Sequence, residues 1–327
     1  MNLLRSVPVA CVVTLGVLVA LGFVLPDWAT FLVTLAFAKG LVALGIVVMM
    51  RGGLVSFGQG LYFCAGAYAA GLAARWTGIS DLYVLCALGI AVTALLGALF
   101  GPLLATYRGI FFAMLSLSLS MILYGSLSKM SALGGTDGIN VLTPTFAGYA
   151  PEGPELGLML YLHASVLVVI AGGLMRMLFD SERGLITLAI RDNELRVEYL
   201  GESVRNAMAI NYVIAAVLAG LGGVLAALAI GHVDPEFSYW TTSGEFVFVA
   251  ILSGYLSIGA VFASSILLEV VRSFSNLYFP NTWQLALGVF LLLVILLLPK
   301  GLGSLVHPRR RREIGSRASS ETDRGAS

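Results

Sequence analysis

Glu269 and Arg272 stand three residues apart inside one long apolar run. On a helix that spacing allows an ion pair, in a setting where an unpaired charge costs at least about 2.5–3.5 kcal/mol. Lys39 and Glu245 fall in other apolar runs, at depths from which a long side chain can snorkel to an interface. Ser116 and Ser120 share a helix face, and Ser56 and Gln59 open a further run. Side chains of this kind can line a path for a polar solute or satisfy the backbone of neighbouring helices. His163, His232 and His307 occupy unrelated segments, and Cys11, Cys64 and Cys86 stand singly without a CxxC pair. No metal site, disulfide framework or nucleophile–base cluster is signalled, and the cysteines read as packing residues. The glycines near Lys39 and Lys300 lack the GxxxxGK[ST] spacing of a phosphate loop. The chemistry on offer is therefore passage and recognition, with no cofactor, no metal and no catalysis of the chain's own.

The elements that must hold these residues are membrane helices. Hydrophobic residues make up 58% of the chain and charged residues 11%, with a mean hydropathy of +0.94; a soluble domain has about 45–50% and about 25%. A net charge of +1 supplies no basic field for nucleic acid. A bilayer core takes roughly 20 helical residues to cross. Ten runs fit an all-α polytopic bundle: 7–25, 29–50, 54–76, 81–106, 108–128, 157–179, 207–231, 244–258, 259–279 and 283–299. The pair 244–258 and 259–279, with Gly254, Ser257 and Gly259 at its break, reads either as two spans or as one broken, re-entrant segment. The first run follows Arg5 but lacks a small-x-small cleavage site, so it is taken as an uncleaved helix. Gly97 and Gly101 form a GxxxG, and Gly220, Gly222 and Gly223 crowd another run, where small residues permit close packing.

Lysine and arginine accumulate in cytoplasmic loops. With the N-terminus placed inside and the spans alternating, all 19 basic residues fall on the inner side except Arg75 and Lys129 outside and Lys39 and Arg272 within spans. Trp28, Trp76, Trp240 and Trp283 then lie at outer helix ends. Both termini are cytoplasmic in this arrangement, and the ten spans divide into two five-helix halves of opposite orientation, as inverted repeats do.

Two polar segments interrupt the spans of a permease domain covering residues 1–306. The outer one, 129–156, is dense in Gly, Pro, Thr and Asp, which is turn chemistry suited to the membrane surface or a partner. The inner one, 180–206, carries Leu185, Leu188, Ile190, Leu195, Val197 and Leu200, spaced like a short amphipathic helix that Gly201 stops. A plain connector needs only a few residues, so the length and apolar stripe indicate a docking surface. Residues 307–327 are rich in Arg and Ser and read as a disordered basic tail able to touch anionic lipid headgroups.

At the inner segment the chain resembles the permease subunits of ATP-binding-cassette importers for branched-chain amino acids, the longer, LivM-like of the two. The likeness runs from about Lys39 to Leu302 and rests on GGLVSFGQGLYFCAGAYAAG (Gly52 to Gly71), RGIFFAMLSLSLSMIL (Arg108 to Leu123), GGTDGI (Gly134 to Ile139) and GLITLAIRDNELRVEYLGESV (Gly184 to Val204). VDPE (Val233 to Glu236) and LLPKGLG (Leu297 to Gly303) add to it. The resemblance implies that Arg191, Asn193, Glu194 and Gly201 belong to the coupling helix that seats in a cleft of the ATPase. It also implies a second permease subunit, two ATPase subunits and an extracytoplasmic solute-binding protein as partners, in the inner or plasma membrane of a bacterial-type cell. The chain departs from the family at LSGYLSIGAVFASS (Leu252 to Ser265), where Ser253, Tyr255 and Ala260 replace smaller residues, and at Lys39. Those departures bear on the solute, because relatives also move urea, short amides and aromatic or bile-acid-like carboxylates.

The expected function is thus a permease subunit of an ATP-driven importer, with Ser56, Gln59, Ser116 and Ser120 as candidate path residues and Glu269–Arg272 as an intramembrane ion pair. The rival is a secondary transporter acting alone, for which Lys39, Glu269 and Arg272 would form the ion relay.

Overall fold

In the computed structural model, residues 2–151, 153–255, 257–278, 280, 282–297 and 301–303 are described. The basic tail 307–327 lies outside them. Each of the ten apolar runs forms a helix: α1 (Asn2–Val24), α2 (Asp27–Arg51), α3 (Gln59–Thr77), α4 (Leu82–Leu104), α5 (Gly109–Lys129) and α6 (Pro154–Asp180) precede the inner polar segment. That segment folds as α7 (Glu182–Asp192) and α8 (Glu194–Tyr199). Then follow α9 (Val204–Ile230), α10 (Trp240–Ser253), α11 (Ile258–Tyr278) and α12 (Trp283–Leu297). Among the described residues, six helices are long and apolar enough to cross a bilayer, namely α2, α4, α5, α6, α9 and α11.

The core is built on α9, whose small residues let three helices approach backbone to backbone. A Cβ on Gly223 would run into the Phe63 carbonyl of α3, and one on Gly222 into the Ala38 carbonyl of α2. On α4, a Cβ at Gly97 would lie 2.9 Å from the Ala216 side chain, and the Thr93 side chain occupies the space that Gly220 leaves open. In a bilayer no hydrophobic force draws helices together, so this close van der Waals approach supplies the association.

Side-chain contacts sort the helix termini into two ends. At one end Arg51, closing α2, donates to the Tyr255 carbonyl between α10 and α11. Arg108, before α5, meets Glu194 of α8, and Arg205 of α9 reaches the Pro102 carbonyl of α4. At the other end Asp81 caps α4 through the amides of Tyr83 and Val84 and accepts from the Ala147 amide. There the turn-rich segment 129–156 makes two short 3₁₀ turns and the strand β1 (Ile139–Asn140), which pairs antiparallel with β2 (His232–Val233) after α9. Segment 129–156 is thereby a built cover at that end, and Ile139 and Val141 close on Gly71 of α3.

The ambiguous region 244–279 resolves into two helices separated at Gly254, which takes the left-handed φ of 70° that favours glycine. With 14 residues, α10 spans only about 21 Å, short of a bilayer core of about 30 Å.

Candidate functional site

Two helices begin inside the bundle. After α2 ends, residues 52–58 leave helical form and turn back inward, so α3 starts with Gly58 against Ser116 of α5; a Cβ on Gly58 would lie 2.6 Å from the Ser116 carbonyl. Ser116 is seven residues into α5, so α3 starts about 10 Å above the end that holds Arg108. From the opposite end, the chain after β2 descends through a 3₁₀ turn (Pro235–Ser238) to start α10. Ser120 Oγ donates to the Ser238 carbonyl at 2.7 Å and fixes that turn roughly 16 Å along α5.

Where these interrupted segments meet, polar side chains concentrate. Ser56, Gln59, Ser116, Ser120, Ser238 and Ser243 are all fully buried. The Phe57 amide donates to Ser116 Oγ at 3.2 Å and the Gly58 amide to Ser56 Oγ at 3.3 Å. Gly60 is the pivot: a Cβ there would collide with Ser243 Oγ and lie 3.3 Å from both Ser120 Oγ and the Phe237 carbonyl. The four residues singled out in the sequence are thus brought together. Ser238 and Ser243 were missed, because their partners are distant in sequence and no periodicity marks them. Among the described residues, neither amide atom of Gln59 nor Ser243 Oγ has a hydrogen-bond partner. A buried polar group without a partner costs about 1–3 kcal/mol, so these atoms weaken the packing of α3 on α10 where they stand.

The expected ion pair is corrected. Glu269 does not take Arg272 of its own helix as its partner. It receives Lys39 Nζ of α2 at 2.7 Å, while Arg272 donates to Glu245 of α10 at 3.0 Å. Lys39 also stands 3.6 Å from Glu245. Lys39 lies near the middle of α2 with its side chain largely covered, between both carboxylates, while Arg272 approaches Glu245 from one turn further along α11. The four charges balance, which is how a low-dielectric interior tolerates them.

At the Arg108 end, α7 and α8 meet at Asn193, whose side chain caps α8 by accepting from the Arg196 amide at 3.0 Å. Ser181 caps α7 in the same way through the Gly184 amide. The Arg191 guanidinium stacks 3.9 Å above the Tyr255 ring, and Glu194 Oε1 takes Arg108 Nε at 2.7 Å. Gly201 turns the chain out of α8 with a φ of 91°. The expected single helix is therefore two, and its apolar stripe divides. Ile190 and Val197 are buried beneath, whereas Leu185, Leu195, Tyr199 and Leu200 are 60–89% exposed. The four charged, amide and glycine positions shape this segment and tie it to the bundle, while the exposed apolar side chains form its outward face.

Comparison with known proteins agrees with this architecture. Residues 28–298 match the family described as branched-chain amino acid transport system / permease component. The chain is 27% identical to the high-affinity branched-chain amino acid transport system permease protein LivM of Escherichia coli K12, over 91% of this chain and 75% of the relative. It is 26% identical to the LivM permease of Salmonella typhimurium, over 92% and 76%. No solved structure matches. With most of its length matched to that family and its apolar helices packed around α9, the chain is a multi-pass membrane protein that belongs to the permease components of branched-chain amino acid transport systems.

Proposed function

We propose that the chain is the transmembrane permease subunit of an ATP-driven importer for a branched-chain or related amino acid. In this reading it pairs with a second permease subunit and two ATPases in the inner or plasma membrane and receives its solute from an extracytoplasmic binding protein. The observation that carries the reading is the buried polar cluster of Ser56, Gln59, Ser116 and Ser120, set where α3 and α10 begin inside the bundle. Discontinuous helices at the bilayer midplane are how transporters build solute sites. The cluster is then the closed midpoint of the path, entered from the β1–β2 end and left at the α7–α8 end. Ten spans, cytoplasmic termini and two inverted halves belong to the same reading.

The face of Leu185, Leu195, Tyr199 and Leu200 is the surface offered to the ATPase. Arg191 and Glu194 transmit its movement to Tyr255 and Arg108. The test is Glu194→Arg in the assembled transporter reconstituted in proteoliposomes. The variant inserts and assembles but no longer imports in response to ATP, and adding Arg108→Glu restores part of the uptake. Normal uptake by the single variant at normal expression overturns the coupling role. An ion-driven transporter acting alone would use Lys39, Glu269 and Arg272 as its relay, yet Lys39 and Glu269 here neutralise each other. Uptake by this chain in proteoliposomes without ATPase or binding protein would establish that rival. Identifying the ligands retained by the cognate binding protein separates amino acids from urea, amides and aromatic or bile-acid-like carboxylates.

A further inference from the structure

Above the Ser120–Ser238 contact, on the β1–β2 side, lies a second group of polar atoms that the path residues do not include. Asp234 follows β2 directly and packs against Gly138 of the outer segment, where a Cβ on that glycine would lie 2.8 Å from the Asp234 Cα. Its Oδ1 is buried and has no hydrogen-bond partner among the described residues. On α3, Tyr68 is 4% exposed and its hydroxyl is likewise without a partner. Cys64, one helical turn below Tyr68 and completely buried, lies on the same helix, which packs against both β2 and the 3₁₀ turn that flank Asp234. A buried carboxylate oxygen with no donor among the described residues is poised for a donor that arrives from outside. The adjacent hydroxyl can orient that donor, and the carboxylate favours a cationic one.

We propose that Asp234, with Tyr68, is the contact that takes the protonated amine of the solute as it passes beneath the β1–β2 cover. The inference rests on the pathway reading and adds to it the chemical class recognised at the entrance: an alkylammonium group. Gln59 and Ser243 lie deeper, so the amine is held first, at the one carboxylate of this stretch placed inward, before the solute meets the neutral cluster.

Cys64 is a built-in reporter. In the assembled transporter carrying Cys11→Ser and Cys86→Ser, its modification is followed during ATP-driven cycling with 2-aminoethyl, methyl and 2-sulfonatoethyl methanethiosulfonate, each rate normalised to that of a free thiol. The ammonium reagent is expected to react at least about tenfold faster than the neutral one, as a focused negative site enriches cations, and the sulfonate slowest. Asp234→Asn abolishes the preference, Asp234→Glu keeps it, and Glu236→Gln, at an exposed carboxylate two residues away, leaves it unchanged. Reaction without charge preference, or a preference that survives Asp234→Asn, overturns the ammonium site while the pathway stands. If no reagent reaches Cys64 in the cycling transporter, the pathway reading fails as well. Should Asp234→Asn not assemble, the ranking of the three reagents on the native carboxylate decides by itself.

Discussion

Gln59 opens α3 with its amide fully buried and both polar atoms unpaired. Two consequences follow that pull in opposite directions. Replacing the amide by an apolar side chain of similar size removes a desolvation penalty of about 1–3 kcal/mol, so Gln59→Leu should raise the unfolding temperature in detergent. The same change deletes a donor and an acceptor from the path, and losing a contact of about 1.4 kcal/mol lowers the transport rate about tenfold. Thermal unfolding and ATP-driven uptake of the one variant test the pair of outcomes together. A variant that is more stable and transports normally would show Gln59 to be a packing residue. Gly60 is tested by the reverse logic: Gly60→Ala places a methyl group against Ser243 Oγ, wedging α3 from α10, and should reduce uptake without removing any polar group.

The half-length helix α10 joins the two polar systems of the molecule. Ser243 and Glu245 are two residues apart, hence about 200° apart around the helix, and α10 therefore shows Ser243 to Gly60 of α3 and Glu245 to Lys39 and Arg272. The charge network is accordingly the clamp that holds α10 and α11 on α2. Lys39→Met leaves the buried Glu269 carboxylate without its cation, while Glu245 keeps Arg272, and should destabilise the protein by about 3–5 kcal/mol. Adding Glu269→Gln should recover much of that loss, since removing both partners is milder than removing one. Denaturant unfolding of the single and double variants in micelles measures both, and equal stability of Lys39→Met and the native chain would show that the network bears no load. The sequence made the helices visible through hydropathy, and it marked the four buried residues of the Ser56–Gln59–Ser116–Ser120 cluster through polar side chains in apolar runs. The clamp was not legible. Glu269 and Lys39 are 230 positions apart, so spacing pointed to the neighbour three residues away, Arg272, while packing on α2 chose the distant one. The inward turn before α10 was hidden for a related reason. Residues 231–239 owe their path to Ser120 and to pairing with Ile139, contacts that local periodicity does not encode.

Across the whole molecule, α2 packs on α9, α10 and α11, while α9 packs on α2, α3 and α4. Each central helix is thus embraced by the two helices that follow the other. After each of them the chain leaves its own end of the bundle and turns inward, at 52–58 from the Arg108 end and at 231–239 from the β1–β2 end. This exchange of roles fits the proposed reading of two halves of opposite orientation, in which the midpoint of the path lies between α3 and α10. In that reading, movement of one half against the other opens the midpoint to alternate sides, driven from the α7–α8 end. The arrangement makes a direct demand on sidedness. Thr136 is exposed in the outer segment and Glu198 is exposed on α8, with α6 between them. In a cysteine-free background in whole cells, Thr136→Cys should react with a membrane-impermeant maleimide added outside. Glu198→Cys should react only after permeabilisation, by a margin of about tenfold or more, because a bilayer core of about 30 Å excludes the charged reagent. Labelling of both positions from the same side would remove α6 as a crossing, and with it the inverted halves and the inward-facing coupling surface.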